Sequence, residues 1–205
     1  MILDNGRQEQ ILLVGDLMGP GGNELSRYFH LAQPSIVYTD PPWSPENLKW
    51  WMNRVRMGEF AEYSRFIEQL IATIVSARPR EVFVEQSVHP EHSSLFRAVA
   101  ERKIGLPLIE SFICLYGSPK RPNVLLHYGR QKLLHDVSGL AGERMTRAVF
   151  CGLGSLDSVW IIDPCMGKGM TSRMAHHFGA NFVGLELDDR RLEIARLWLV
   201  QHGYA

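Results

Sequence analysis

The sequence predicts an α/β fold in which a mostly parallel, doubly wound β-sheet carries helices on both faces. Seven short apolar segments are typical of buried strands, and segments with helical periodicity separate most of them. The two segments within residues 109–128 are joined by a tight turn instead, so we expect one antiparallel strand at an edge of the sheet.

The predicted strands are apolar runs, and several are followed directly by an acidic residue or a glycine. They are Ile11–Val14, Ile36–Tyr38, Glu81–Glu85, Ile109–Tyr116, Val124–Tyr128, Ser158–Ile162 and Asn181–Leu185. Runs of this length bounded by turn residues favour buried strands over helices.

The predicted helices lie between these strands. They are Glu24–His30, Phe60–Ala77, His89–Arg102, Gly142–Gly152, Thr171–Phe178 and Asp188–His202. Apolar residues recur at helical spacing between residues 66 and 75, and Arg78 followed by Pro79 ends that helix. We expect Gly19–Gly22 to form a loop and Asn23 to cap the first helix.

Composition limits the class of protein. The 205 residues are 45% hydrophobic, which is enough for one domain, residues 1–205, with a sizeable core. The 22 basic and 22 acidic residues exclude a strongly basic nucleic-acid binder. Three cysteines without Cys-x-x-Cys spacing predict a reducing, cytoplasmic location, without a disulfide framework or zinc site. We see no secretory signal and no run long enough to cross a membrane.

A carboxylate and an aromatic ring follow one predicted strand. Asp40 comes soon after the apolar run that ends at Tyr38, and Pro41, Pro42 and Trp43 follow it. Two consecutive prolines remove two backbone donors and restrict φ, so this turn is stiff. In open α/β sheets, ligands bind at the carboxyl ends of the strands.

This turn suits the recognition of an exocyclic amine on a flat ring. The Asp40 carboxylate can accept one N–H, the Pro41 carbonyl can accept the other, and the Trp43 ring offers a face on which a base stacks. Two acceptors that draw the hydrogens out of the ring plane would localise the nitrogen lone pair for attack. Taken alone, the stretch also fits a proline-rich loop with an incidental acidic residue.

A second motif near the other end of the chain combines a strand, a glycine turn and a helix start. It consists of Asp163, Pro164, Cys165, Met166, Gly167, Lys168, Gly169, Met170 and Thr171. Glycines let the backbone approach a ligand closely, and the first amides of the helix can receive a carboxylate. By analogy with dinucleotide-binding folds, an acid after the next strand would bind ribose hydroxyls, and Glu186 stands there. The spacing of a P-loop is absent.

Together these segments resemble the S-adenosylmethionine-dependent DNA amino-methyltransferases that act on adenine N6 or cytosine N4, in the permuted, beta-type order that puts the catalytic motif first. Gly15 and Asp16 match the family's adenine-contacting pair. Thr39–Trp43 matches its catalytic motif, Asp163–Gly169 its methionine-binding turn, and Glu186 its ribose-binding acid. The resemblance implies the Rossmann-like, seven-stranded methyltransferase fold, with both motifs side by side at one rim of the sheet.

The resemblance also implies methyl transfer from S-adenosyl-L-methionine to the N6 amine of adenine in DNA, without a metal. Asp40, Pro41, Pro42 and Trp43 would hold a flipped base. The implied cofactor contacts are Asp16, Asp163, Pro164, Cys165, Gly167, Gly169, Met170, Thr171 and Glu186. Aspartate at position 40 favours adenine, because cytosine-N4 enzymes of the family more often carry serine there.

The chain departs from the family where a separate target-recognition segment usually stands. Only a short insert, about residues 129–141, is present, so we expect no separate recognition domain. Gly142–Arg147 replaces the family's aromatic and Lys-Pro features, and Cys165 replaces a commoner phenylalanine. The expected partner is nucleic acid, DNA before RNA, with a homodimer or an accessory specificity subunit as sources of extra grip, and no membrane.

Three alternative functions stay open at this point: cytosine-N4 methylation of DNA, adenine-N6 methylation of RNA, and a non-catalytic subunit that keeps the fold.

The aromatic and basic residues within positions 50–56 allow two interpretations. Trp50, Trp51, Arg54 and Arg56 either line a nucleic-acid entrance by stacking and phosphate contact, or belong to an ordinary helix with one tryptophan packed inward.

Overall fold

A computed structural model describes residues 1–55, 62–117 and 120–205, which contain eight strands and seven helices. The strands are β1 Ile2–Asp4, β2 Glu9–Val14, β3 Ser35–Thr39, β4 Glu81–Ser87, β5 Leu108–Tyr116, β6 Arg121–Tyr128, β7 Trp160–Asp163 and β8 Asn181–Glu186. The helices are α1 Pro20–Ser26, α2 Pro45–Arg54, α3 Tyr63–Ser76, α4 Pro90–Lys103, α5 Gly142–Gly152, α6 Met170–His177 and α7 Asp189–Gln201.

The strands form one sheet in the order β1-β2-β8-β7-β3-β4-β6-β5. The five central strands, β2, β8, β7, β3 and β4, are parallel, so their carboxyl ends meet at one rim. Val37 of β3 pairs with Ile162 of β7, and Val14 of β2 pairs with Glu186 of β8. Four segments that are far apart in sequence therefore reach the same edge.

The core lies on both faces of this sheet, because successive strand residues point to opposite sides. Val37 and Val82 pack on the side of α1 to α4, whereas Ile36, Phe83 and Ile161 pack on the side of α5 to α7. The predicted doubly wound α/β architecture with helices on both faces is therefore confirmed.

The predicted seven strands, with one antiparallel, are wrong in detail. The described chain has an eighth strand, β1, and three antiparallel pairs: β1 with β2, β4 with β6, and β5 with β6. β1 has only three residues, too few for a recognisable apolar pattern. Its position is fixed by tertiary contacts, since the backbones of Asp4 and Ala205 exchange two hydrogen bonds.

The first helix begins earlier than predicted. α1 starts at Pro20, inside the stretch Gly19–Gly22 for which the sequence predicts a loop, and Asn23 lies within the helix and does not cap it. A Cβ on Gly21 would lie 2.9 Å from the Asp16 carbonyl oxygen, and a Cβ on Gly22 would overlap the Leu17 carbonyl oxygen. These glycines allow α1 to pack directly on the turn that follows β2.

One other predicted boundary lies outside the described residues. The second predicted helix begins at Phe60, which is not described, and within the described residues α3 begins at Tyr63. No helix within the described ranges is long and apolar enough to cross a membrane.

The close packing of α1 leads to a stability prediction. We expect Gly22→Ala to lower the free energy of unfolding by about 1–3 kcal/mol, because the new methyl group overlaps backbone that cannot move away easily. Alanine has the higher helix propensity, which alone would give the opposite sign. Urea unfolding followed by circular dichroism measures the difference.

Gly19→Ala is the matched control in the same turn. Its new Cβ would lie 3.7 Å from the nearest atom, an ordinary contact on the Asp16 side chain, so the loss should be smaller. Equal unfolding midpoints for Gly22→Ala and the parent would contradict the packing of α1 described above.

Candidate active site

A cleft of about 910 Å³ opens at the rim where the central strands end. It is lined by twelve of the thirteen residues that the sequence singles out: Asp16, Asp40, Pro41, Pro42, Trp43, Asp163, Pro164, Cys165, Gly167, Met170, Thr171 and Glu186. The two motifs, which are more than a hundred residues apart in the chain, thus face one space.

Gly169 is the one predicted site residue that does not line the cleft. It precedes α6 with a left-handed φ of 77°, and a Cβ at this position would lie 2.5 Å from the Ala195 side chain. Gly169 is therefore required for packing the glycine turn against α7. Gly167 also has a positive φ, 59°, but it borders the cleft itself.

Asp40 is a partly buried carboxyl group beside two aromatic side chains. The indole Nε1 of Trp43 donates a hydrogen bond to Asp40 Oδ1 at 2.8 Å, and the Tyr116 hydroxyl group lies near enough to lower the pKa of this carboxyl group. Burial raises the pKa of Asp40 to about 7, the Trp43 hydrogen bond opposes that rise, and the nearby charge of Asp163 adds to it. Asp40 therefore changes its charge near neutral pH.

Trp43 is oriented differently from the sequence-based expectation of a simple stacking face. Its ring is held by the hydrogen bond to Asp40 and meets the Tyr116 ring at 65°, with 4.5 Å between centroids. The two rings form an aromatic corner beside the Asp40 carboxyl group.

Tyr116 is a site residue that sequence reasoning missed. It lies at the end of β5, lines the cleft, and has its pKa raised, first by the Asp40 charge and then by burial. Its sequence context is the end of an edge strand, which predicts no contact with Asp40. The sequence signal that could have identified Tyr116 is an aromatic residue followed by glycine at the tip of a predicted hairpin.

The two prolines differ in their backbone contacts. The Pro42 carbonyl accepts a hydrogen bond from the Tyr63 hydroxyl at 3.2 Å, which ties the turn to α3. Within the described ranges, no hydrogen bond engages the Pro41 carbonyl oxygen. Pro41 therefore has an acceptor available to a ligand in the cleft.

Asp163 stabilises the start of the glycine turn by hydrogen bonding. Its buried carboxylate accepts a hydrogen bond from the Cys165 amide at 3.0 Å. Burial raises the pKa of Asp163 to about 6, while hydrogen bonds from Thr171 and Cys165 oppose the rise. Burial also raises the pKa of the Cys165 thiol, which keeps that side chain uncharged.

Glu186 and Asp16 lie on the other side of the cleft. Glu186 Oε1 accepts the Asp188 amide at 2.9 Å, and burial raises the pKa of Glu186. Asp16 Oδ1 accepts the Met18 amide at 3.0 Å, which shapes the turn into α1. The remaining lone pairs of both carboxylates are the acceptors that this side of the cleft offers.

Helix α2 connects the two motifs. Its first residue, Pro45, follows Trp43 after the N-cap Ser44, and its last residue, Arg54, forms a salt bridge with the buried Asp188 at 3.1 Å. Trp50 and Trp51 both line the cleft, and Trp50 is 53% exposed. The two tryptophans are thus placed where a nucleic-acid entrance would need them. Arg54 is already paired with Asp188, and Arg56 lies outside the described residues.

No protein-family model and no curated protein matches the sequence. Solved structures match it in fold. TTHA0409 from Thermus thermophilus, assigned provisionally as a DNA modification methylase, gives a TM-score of 0.67 at 16% identity, covering 95% of this chain and 96% of that one.

Two further structures are similar. The M1.HpyAVI–SAM complex gives a TM-score of 0.63 at 11% identity, covering 92% of this chain and 98% of that one. PvuII DNA methyltransferase, which is cytosine-N4-specific, gives 0.57 at 13% identity, covering 91% and 85%. At such identities the likeness shows the fold, which this chain shares with these proteins.

The raised pKa of Asp40 gives a prediction for stability against pH. The folded protein binds the Asp40 proton more tightly than the unfolded chain does, so ionisation of Asp40 costs stability as pH rises from about 4 to about 7. We expect Asp40→Asn to raise the free energy of unfolding by about 1–3 kcal/mol at pH 8, and by progressively less toward pH 4.

Urea unfolding of the variant and the parent at pH 4.5 and pH 8 measures this difference. Asp136→Asn is the control, because Asp136 is exposed and hydrogen bonds from Ser138 lower its pKa. A gain for Asp40→Asn that is the same at both pH values would show that the carboxyl group is not held neutral by the fold.

Proposed function

We propose that this protein transfers a methyl group from S-adenosyl-L-methionine to the exocyclic N6 amine of adenine in DNA. One observation carries the proposal: the Asp40 turn after β3 and the glycine turn after β7 border the same cleft, because β3 and β7 are neighbours in the sheet. The fold shared with structures of DNA methyltransferases supports it.

The cleft fits this cofactor. When bound, S-adenosyl-L-methionine would supply an electrophilic methyl group on a sulfonium centre, whose sulfur–methyl bond breaks on transfer so that S-adenosylhomocysteine leaves. Gly167 lets the backbone approach the ligand closely, and the α6 amides near Thr171 can receive its carboxylate. Glu186 would accept hydrogen bonds from the ribose hydroxyls, and Asp16 one from the adenine amine.

The chain's own residues would position the target amine. Asp40 in its ionised form and the Pro41 carbonyl each accept one N–H of the amine, which localises the nitrogen lone pair. Trp43 keeps the Asp40 carboxylate in place by hydrogen bonding, and the rings of Trp43 and Tyr116 provide an apolar wall for the flipped base. As the N–C bond forms, the amine becomes acidic, and Asp40 is placed to take its proton.

Removing the charge of Asp40 should separate catalysis from cofactor binding. We expect Asp40→Asn to reduce methyl transfer to DNA by about 100-fold or more, because a neutral amide cannot take the proton. Its affinity for S-adenosylhomocysteine should change little, since Asp40 is not among the residues proposed to hold the cofactor. The measurement is transfer of labelled methyl groups to polydeoxynucleotides, with calorimetry for binding.

Asp136→Asn serves again as the exposed control and should transfer at the parent rate. Transfer by Asp40→Asn at the rate of the parent would remove Asp40 from the catalytic role.

Cytosine N4 is the second candidate target, since PvuII DNA methyltransferase shares the fold and is cytosine-N4-specific. Both targets present an exocyclic amine on a flat ring, so the geometry around Asp40 suits either. A nucleoside digest of the labelled product distinguishes N6-methyladenine from N4-methylcytosine, and a parallel reaction on RNA tests the choice of DNA. Binding of S-adenosylhomocysteine without any transfer would identify a non-catalytic subunit.

The same proposal includes a single catalytic domain, residues 1–205, without a separate recognition domain. The insert of residues 129–141 contains no helix or multi-residue strand and is anchored by the buried Leu133 and Val137. Contacts with DNA outside the cleft would come from a second copy of this chain or from an accessory specificity subunit.

Cofactor recognition gives a further prediction. Glu186→Gln should weaken S-adenosylhomocysteine binding about tenfold, because the amide keeps only one acceptor oxygen for the ribose hydroxyls. Glu193→Gln on α7 is the control, since Glu193 is exposed and pairs with Arg196. Isothermal titration calorimetry at one pH measures both, and unchanged affinity for Glu186→Gln would exclude Glu186 from the cofactor site.

A further inference from the structure

Arg191 in the first turn of α7 faces the cofactor half of the cleft, and no motif in the sequence draws attention to it. Its side chain is 21% exposed, and its Nη1 lies 4.0 Å from Glu186 Oε1, which is too far for a hydrogen bond. A Cβ on Gly167 would lie 2.6 Å from its Nη2. The guanidinium group therefore lies between the glycine turn and Glu186, the acid at the end of β8.

The Nε of Arg191 is buried and has no hydrogen-bond partner within the described residues. A buried N–H of a charged group without an acceptor is costly, so an acceptor is expected to fill the site when the protein is at work. Arg191 itself lines the cleft, where a ligand can supply an acceptor to its guanidinium group.

The orientation of the guanidinium is fixed before any ligand arrives. Its carbon lies 4.1 Å from the centroid of the Trp51 ring, close enough for a cation–π contact. Trp51 belongs to α2, whose end is held by the salt bridge between Arg54 and Asp188. Both α2 and α7 thus hold Arg191 in one place.

We propose that Arg191 is a cofactor-binding residue that donates hydrogen bonds to the ribose hydroxyls of S-adenosyl-L-methionine, opposite Glu186. This inference rests on the proposed function. A hydroxyl group both donates and accepts, whereas a carboxylate only accepts and a guanidinium only donates. Glu186 and Arg191 together provide an acceptor and a donor for a pair of neighbouring hydroxyls.

The cofactor's amino-acid carboxylate is the other acceptor that a guanidinium could bind. The position beside Glu186 favours the ribose, because Glu186 is the acid placed to accept from ribose hydroxyls, and the carboxylate is expected at the start of α6. The two assignments differ in which part of the ligand Arg191 recognises, so ligand analogues separate them.

The experiment measures the affinity of the parent and of Arg191→Met by calorimetry for three ligands. S-adenosylhomocysteine has both the ribose hydroxyls and the carboxylate, 5′-methylthioadenosine has only the hydroxyls, and the 2′,3′-dideoxy analogue of S-adenosylhomocysteine has only the carboxylate. We expect Arg191→Met to bind the first two about tenfold more weakly than the parent does, and the dideoxy analogue equally well.

Two further variants make the result specific. Arg191→Lys keeps the charge but loses the planar set of donors, so it should also bind S-adenosylhomocysteine more weakly. Arg196→Met is the matched control on the same helix, because Arg196 pairs with the exposed Glu193, and it should bind all three ligands as the parent does. Thermal unfolding verifies that each variant is folded.

Each outcome bears on a different claim. If Arg191→Met loses affinity for S-adenosylhomocysteine and the dideoxy analogue but keeps it for 5′-methylthioadenosine, Arg191 binds the carboxylate and the inference is wrong. Equal binding of all three ligands by Arg191→Met and the parent also overturns it, while the proposed function stands. If the parent binds none of the ligands, the proposed cofactor is wrong and the inference falls with it.

Discussion

The candidate site depends on one constraint, the parallel pairing of β3 with β7. Parallel neighbours end at the same rim, so Asp40 and the glycine turn after Asp163 must lie next to each other whatever their distance in the chain. The pairing of β7 with β8 adds Glu186, and that of β8 with β2 adds Asp16. One sheet edge therefore gathers four acidic residues around a single cleft.

Gathering carboxyl groups at one edge has an electrostatic cost. Burial and mutual repulsion raise the pKa of Asp40, Asp163 and Glu186, so the fold holds these groups in a less favourable state than water would. Asp163 and Glu186 offset part of this cost with backbone amides from their own turns. Asp40 instead accepts its hydrogen bond from the side chain of Trp43. Such shifted groups are typical of functional sites, where stability is given up for chemistry.

The sheet, the two faces of helices and the acids that border the cleft could be predicted from the sequence, because apolar runs and strand-end acids are local signals. What could not be predicted depends on contacts between distant segments. β1 is too short to carry a pattern, α1 begins among glycines because the turn at Asp16 and Leu17 leaves no room for a Cβ, and Trp43 turns its indole N–H toward Asp40. Tyr116 reaches Asp40 only because β5 pairs with β6 at the sheet edge.

Helix α2 links the two halves of the cleft in a way that neither motif alone requires. Its start is fixed by the proline turn after Asp40, with Ser44 accepting the Asn47 amide, and its end by the salt bridge from Arg54 to Asp188. Between these ends, Trp51 covers the Arg191 guanidinium. The helix that continues from the Asp40 turn therefore also fixes the position of Arg191. Asp40 and Arg191 lie far apart in the chain, and α2 links them in addition to the cleft that both residues line.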